Sequence, residues 1–351
     1  MVFFHHVCFS TIHTDQWGWP VTLLRSISAY GATGVDLFFV LSGFLITSIL
    51  IETQQRASYY TDFYWKRVLR IQPLYVVCLI LVLLISPELW RGVLLSALFV
   101  VNFGSLFHVA MFGPFWSLAI EEQFYLIWPS VVRKRSVETL VRWSAAVAIA
   151  CILIRLIAGY FDRRNYFYTF YRCDGLAFGA LIACWFKRRR DGAAERWREN
   201  MALHGAFLCG LALLAVAFYV VPPGYSGFTA AFSQTGITVI AATFIGRLVR
   251  DSGRRYLALM RSPAITFFGL ISYAFYMLHL FVLEAFDHFR APPAPGDDGA
   301  FVGRLLAVLA LSVGAALASR YLVELPALNL RQYVLKSPSP PPVTAEPLET
   351  V

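Results

Sequence analysis

Gly34-Val-Asp-Leu-Phe-Phe-Val-Leu-Ser-Gly-Phe-Leu-Ile46 decides the class of this chain. The stretch is apolar except for one carboxylate, Asp36, at its start. A charge at the edge of membrane hydrocarbon is costly, so it calls for a partner or a task. The pattern recurs outward from there: Glu121, Arg172, Asp174, His279 and Glu324 each sit in or beside an apolar run. An anchor helix has no use for such residues, whereas a catalyst or conduit inside the membrane does.

The surrounding composition agrees. Of 351 residues, 58% are hydrophobic and 15% charged, against about 25% charged in soluble domains; mean hydropathy is +0.61. Several apolar runs approach the roughly 20 residues that cross a bilayer. They are continuous rather than alternating, which excludes a β-barrel. The fold class expected is all-α, a polytopic transmembrane bundle of about ten helices. Spans are expected at 1–12, 32–51, 73–86, 115–132, 138–159, 173–186, 202–221, 228–248, 264–286 and 302–322. The first reads as the second half of a helix, truncated at its start. The stretch 89–103 fits poorly as a span and is expected to be bent or re-entrant, buried against protein. Residues 1–333 form one membrane unit, and the Pro-rich tail 334–351 is expected to be disordered.

The net charge of +9 does not point to nucleic acid. The basic residues fall between apolar runs: Lys66, Arg67 and Arg70; Arg133 to Arg135; Lys187 to Arg190; Arg250, Arg254 and Arg255. That is the cytoplasmic-loop excess of the positive-inside rule. An even number of passes between these loops places both ends of the chain in the cytoplasm. The six cysteines form no CxxC pair and no metal-ligand spacing, and are expected to be small buried hydrophobes. No metal site is expected. The sequence leaves the oligomeric state open.

Five constellations carry possible chemistry. His5 and His6, near the end of the first helix, are either solvated interfacial residues or proton acceptors near neutral pH. Asp36 either caps a helix or orients an imidazole, as carboxylates do in hydrolase triads; an antiparallel hairpin of the first two helices would bring His5 and Asp36 together. Arg67 and Arg70 are three apart, on one helical face. They either anchor the cytoplasmic edge or bind phosphate, which guanidinium groups suit. Glu121 and Glu122 adjoin at the start of a span, where the helix dipole favours negative charge. Trp116, Tyr125 and Trp128 form either an interfacial aromatic belt or a stacking wall for a sugar, the belt being the simpler reading. In the last constellation, Arg172 and Asp174 would pair with each other, His279 would be bonded to a neighbour in the core, and Glu324 would cover a span end.

The wording and order of these motifs resemble the acyltransferase 3 family of bacterial membrane O-acyltransferases. The resemblance rests on His5-His6, Gly34 to Ile46, Lys66-Arg-Val-Leu-Arg-Ile-Gln-Pro73, Trp116-Ser-Leu118 with Glu121-Glu-Gln-Phe-Tyr125, Arg172-Cys-Asp-Gly-Leu176, Ser272-Tyr273 to His279, and Glu324-Leu-Pro326. It implies a multi-pass enzyme of the bacterial plasma membrane. Such an enzyme moves an acyl group, often acetyl, from acyl-CoA as co-substrate to a hydroxyl of a glycan or other acceptor, with no bound cofactor. It also implies that His5, with His6 as the nearby alternative, is the catalytic histidine. Arg67 and Arg70 would hold the donor, and Glu121 would be the family's acidic position. Trp116, Ser117, Glu122, Tyr125, Arg172, Asp174, His279 and Glu324 would serve as substrate contacts or structural support.

On this reading His5 acts as base, oriented by Asp36 or Glu121, and the arginines hold the donor's phosphates at the cytoplasmic face. The acyl group then travels along a thioester channel or on a covalent carrier such as Ser42, Ser117 or a histidine. A non-catalytic transporter or flippase would use buried charges equally well, but no matching inverted halves are found. Membrane lipids are expected neighbours; the acceptor and the acyl length cannot be read from residues.

Overall fold

The computed structural model describes residues 1–11, 17–161, 167–188, 193–222, 226–251 and 253–334. The tail from 335 onward, and Arg189 and Arg190 of one basic loop, lie outside the described residues. Among the described residues there are helices and no strands.

The helices are α1 (Val2–Thr11), α2 (Trp19–Ser28), α3 (Gly34–Thr53), α4 (Tyr59–Ile85), α5 (Trp90–Ala97), α6 (Phe115–Arg133), α7 (Val137–Tyr160), α8 (Thr169–Arg172), α9 (Asp174–Arg188), α10 (Ala193–Ala215), α11 (Ser226–Arg250), α12 (Pro263–Phe289), α13 (Asp298–Ser319), α14 (Leu325–Asn329) and α15 (Arg331–Val334). Three starts are fixed locally. Ser136 accepts from the Thr139 amide ahead of α7, Ser262 from Ile265 ahead of α12, and Asp297 from Ala300 ahead of α13. Each cap satisfies one of the free amides of a first helical turn.

Seven helical stretches are long and apolar enough to cross a membrane: 19–53, 59–85, 137–160, 197–220, 226–250, 263–289 and 298–333. The expected spans 1–12, 115–132 and 173–186 form helices but do not reach that standard. At 10 and 15 residues, α1 and α9 rise only about 15 and 23 Å, short of the roughly 30 Å hydrocarbon core, and α6 carries Glu121 and Glu122. The expected span 32–51 also grows backwards: α2 runs into α3 through a 3₁₀ turn at Ala29–Thr33. Stretch 89–103 is no span. It forms the eight-residue α5, a break, and a 3₁₀ segment at Val101–Phe107.

The body is organised around α3, which packs most intimately on α9. A side chain at Gly43 would put its Cβ 2.1 Å from the Leu176 carbonyl, and one at Gly179 would put it 2.1 Å from the Val40 carbonyl. Only glycine lets these backbones approach so closely, which is how small residues serve helix contacts in membranes. On its other sides α3 meets α6 and α11. A large apolar core, including Ile46, Leu50, Tyr75, Phe115 and Met277, joins α3, α4, α6 and α12. The short α1 lies across α12, with Phe3 against Phe275.

Candidate active site

The packing of α1 on α12 brings His6 to His279. The His6 Nδ1 is 2.8 Å from His279 Nε2, and the rings stack at 10°. His279 Nδ1 lies 2.7 Å from the Tyr276 carbonyl. A carbonyl only accepts, so Nδ1 of His279 carries the hydrogen and its Nε2 is the acceptor. His6 therefore donates from Nδ1 in the neutral pair, and its Nε2 keeps a lone pair. This assignment follows from the hydrogen-bond network. His279 is buried, whereas His6 is half-buried. His5 points elsewhere: its Nδ1 donates to the Ser28 carbonyl at 3.0 Å.

His279 lines a cavity of about 340 Å³ between α1, α3, α6 and α12. Val2, Val35, Phe38, Phe275 and Met277 make most of its wall apolar, and Ser117 brings a hydroxyl to it. Ser117 Oγ is 2.7 Å from the Tyr276 hydroxyl and donates to the Pro114 carbonyl at 2.9 Å.

From Ser117 a polar line runs down one face of α6. Ser117, Glu121 and Tyr125 are spaced by four, so they stack on that face, spanning about 12 Å. Glu121 is buried and accepts from both Ser42 of α3 and Tyr125; Ser42 and Tyr125 are themselves 2.7 Å apart. The guanidinium of Arg67 lies 5.2 Å from the centre of the Tyr125 ring, on which it stacks. Arg67 in turn lines a second cavity, of about 260 Å³, whose wall also includes Lys66, Arg70 and Arg331 as well as Asp62. Among the described residues neither Arg67 nor Arg70 is held in an ion pair. A mouth with several cations suits a polyanion.

The expected orienters of the imidazole lie elsewhere. Asp36 is buried against Arg172 at 3.1 Å and accepts from Gln234. Glu121 is satisfied by hydroxyls. The hairpin expected between the first two spans does not form: α1 packs chiefly on α2 and the 3₁₀ turn rather than on α3, and the Ser28 carbonyl at the end of α2, not a carboxylate, meets the His5 imidazole. Arg172 and Asp174 do not pair with each other either. Two residues apart across the α8–α9 joint, they point to different neighbours: Arg172 to Asp36, Asp174 to Arg155 at 2.6 Å. Arg155 also donates to Thr235 at 2.9 Å. The result is a buried network of two ion pairs that ties α3, α7, α9 and α11 together.

The aromatic belt is overturned too: Trp116, Tyr125 and Trp128 are all buried. Trp116 packs against Phe39 and Phe167, with the Arg172 guanidinium 5.6 Å from its centre. Trp128 donates to Thr47 at 2.8 Å. Glu122 is half-buried beside Glu121. Glu324 is buried, 3.4 Å from Arg320. Sequence reasoning passed over Arg155, Gln234, Thr235 and Tyr276. Arg155 and Gln234 did leave a signal, as polar residues in the middle of apolar runs. Among the described residues no His, Cys, Asp or Glu cluster is fit to hold a metal ion.

A family model described as "Acyltransferase domain" matches residues 1–323. The chain is similar to the O-acetyltransferase OatA of Staphylococcus aureus, 31% identical over 221 residues, or 54% of this chain and 36% of the relative. It is also similar to the peptidoglycan O-acetyltransferase OatA of Listeria monocytogenes, 28% identical over 286 residues, 71% and 44% of the two chains. YrhL of Bacillus subtilis is 29% identical over 287 residues, again 71% and 44%. The chain thus spans less than half the length of each of these relatives. No solved structure gives a significant match.

Proposed function

The chain belongs to the acyltransferase domain family, and from that premise we propose that it transfers an acyl group from acyl-CoA to a hydroxyl of a cell-surface glycan within the plasma membrane. The observation that carries the proposal is the polar face of α6, which joins the arginine mouth at one end to the histidine cavity at the other. Lys66, Arg67 and Arg70 hold the donor's phosphates, and the thioester arm lies along Tyr125, Glu121 and Ser117. The relatives named O-acetyltransferases make acetyl the first acyl group to test, and the two of them, from Bacillus subtilis and Listeria monocytogenes, named for peptidoglycan make that polymer the first acceptor.

In this scheme the catalytic base is His6 rather than His5. A hydroxyl is a poor nucleophile at neutral pH, and a positioned base contributes roughly 10²–10⁴-fold. The acceptor hydroxyl gives its proton to Nε2 of His6 as its oxygen attacks the thioester carbonyl. The carbon–sulfur bond then breaks, and the imidazolium returns the proton to the departing sulfur. His279 supports the imidazolium by accepting from its Nδ1. Because His279 is neutral, the resting pair carries no charge into a lipid-enclosed site, where a charge is expensive.

The test is acyl transfer in membranes containing the chain, supplied with acetyl-CoA and glycan, with the ester read by mass spectrometry. The expected result is coenzyme A-dependent ester formation that is lost in His6→Ala. Movement of unmodified glycan without ester would make the chain a transporter instead and overturn the proposal.

A further inference from the structure

Cys151 and Cys173 bring their sulfurs to 3.1 Å. They come from different elements, the outgoing half of α7 and the joint between α8 and α9, 22 residues apart. Among the described residues no other two of the six cysteines meet in this way. Their surroundings are specific. Cys173 stands between Arg172 and Asp174, the two residues that anchor the buried ion pairs. Cys151 stands one turn before Arg155, on the same face of α7. The sulfur contact and the Arg155–Asp174 ion pair are therefore neighbouring ties between the same two elements. Cys151 is buried, while Cys173 is partly exposed.

We propose that Cys151 and Cys173 are a modification site, closed into an intramolecular disulfide by exchange with a disulfide-bearing thiol oxidant. The thiolate of Cys173, the accessible member, attacks the oxidant's disulfide and forms a mixed disulfide, releasing one oxidant thiolate. The Cys151 thiolate then attacks the Cys173 sulfur and releases the second. The two protein thiols lose two electrons and two protons, and the oxidant's disulfide becomes two thiols. The sulfurs need only about 1 Å of further approach to bond. On the positive-inside orientation α7 starts at the cytoplasmic face. Cys151, about 21 Å along it, then lies toward the outer side, where oxidants of this class operate in bacteria. The bond clamps the segment from which Arg172 and Asp174 reach their partners.

The experiment uses the full chain in native membranes, treated with oxidised glutathione, blocked with N-ethylmaleimide and digested without reduction. The expected product is a Cys151–Cys173 linked peptide, two hydrogens lighter than its reduced halves and split by reductant. It is absent from Cys151→Ala and Cys173→Ser, and in Cys151→Ala the remaining Cys173 is recovered as a glutathione adduct. Recovery of Cys151 and Cys173 as two free thiols overturns the proposal, whether or not Cys173 of Cys151→Ala takes up glutathione. Neither outcome depends on the acyl-transfer reading.

Discussion

Nδ1 of His6 stands 2.8 Å from Nε2 of His279, so an imidazole of α1 is held by a neutral imidazole of α12 and not by a carboxylate. The orienting group of a catalytic histidine fixes its tautomer and ring position. In the proposed scheme that work falls to the Tyr276 carbonyl, passed through His279 to His6. His6→Ala is expected to lower kcat by roughly 10²–10⁴-fold, and His279→Ala to lower it by about tenfold or more through loss of the held tautomer. His5→Ala is expected to stay within about tenfold of the unaltered chain, its contact being with the Ser28 carbonyl. Ester formation measured by mass spectrometry decides between the two adjacent histidines; strong loss in His5→Ala with activity kept in His6→Ala reverses the assignment.

At the other end of α6, the proposed donor contacts are expected to act on binding. A charge-assisted hydrogen bond is worth about 1.5–3 kcal/mol. Arg67→Ala and Arg70→Ala should therefore each raise KM for acyl-CoA roughly 10- to 100-fold, with kcat much less changed, the signature of lost ground-state binding. Arg67→Lys should recover only part. A lysine keeps the charge but not the planar fork, nor its stacking on Tyr125. Steady-state kinetics with varied acyl-CoA separate these effects, and an unchanged KM in both alanine variants would remove the arginines from the donor site.

Much of this was legible in the residues. Continuous apolar runs gave the helical membrane body, and charges within them marked Asp36, Glu121, Arg172 and His279 as residues with partners. What those partners are was not legible. Arg172 and Asp174 are neighbours in sequence, but the α8–α9 joint sends them to opposite sides, to Asp36 on α3 and Arg155 on α7. Likewise the sequence favoured His5 over His6, and the partner of His6, His279, comes from α12, 273 residues away. The apolar stretch Gly34 to Ile46 has two uses. Ser42 belongs to the polar line of α6, while Gly43, next in the chain, faces α9. Period and composition report which residues are buried; only the packing of distant helices reports against what.

The buried ion pairs should behave as couples. Removing one member leaves an uncompensated charge and costs about 3–5 kcal/mol, whereas replacing both with uncharged groups costs much less. Asp36→Asn and Arg172→Gln are each expected to destabilise the protein strongly, and the double variant to regain a large part of the loss. The same cycle applies to Arg155→Gln and Asp174→Asn. Thermal unfolding in detergent measures the coupling directly. Strictly additive losses would mean that the network contributes no pairing energy.

The α3–α9 contact offers the sharpest test of the fold itself. A Cβ at Gly43 or at Gly179 would fall 2.1 Å from a carbonyl oxygen of the facing helix. Backbone cannot swing aside as a side chain does, so the two helices must separate. Overpacking of this kind costs about 1–3 kcal/mol and occasionally more. Separation would also pull Ser42 away from Glu121 and Tyr125, since Ser42 adjoins Gly43 on α3. Gly43→Ala and Gly179→Ala are therefore expected to lower the unfolding temperature and the acyl-transfer rate together. Gly205 of α10 has nothing within 4 Å of its would-be Cβ. Gly205→Ala relieves a helix of its glycine, worth up to about 1 kcal/mol, and should leave stability equal or slightly raised. Equal unfolding temperatures for all three variants would show that α3 and α9 are not in this close contact.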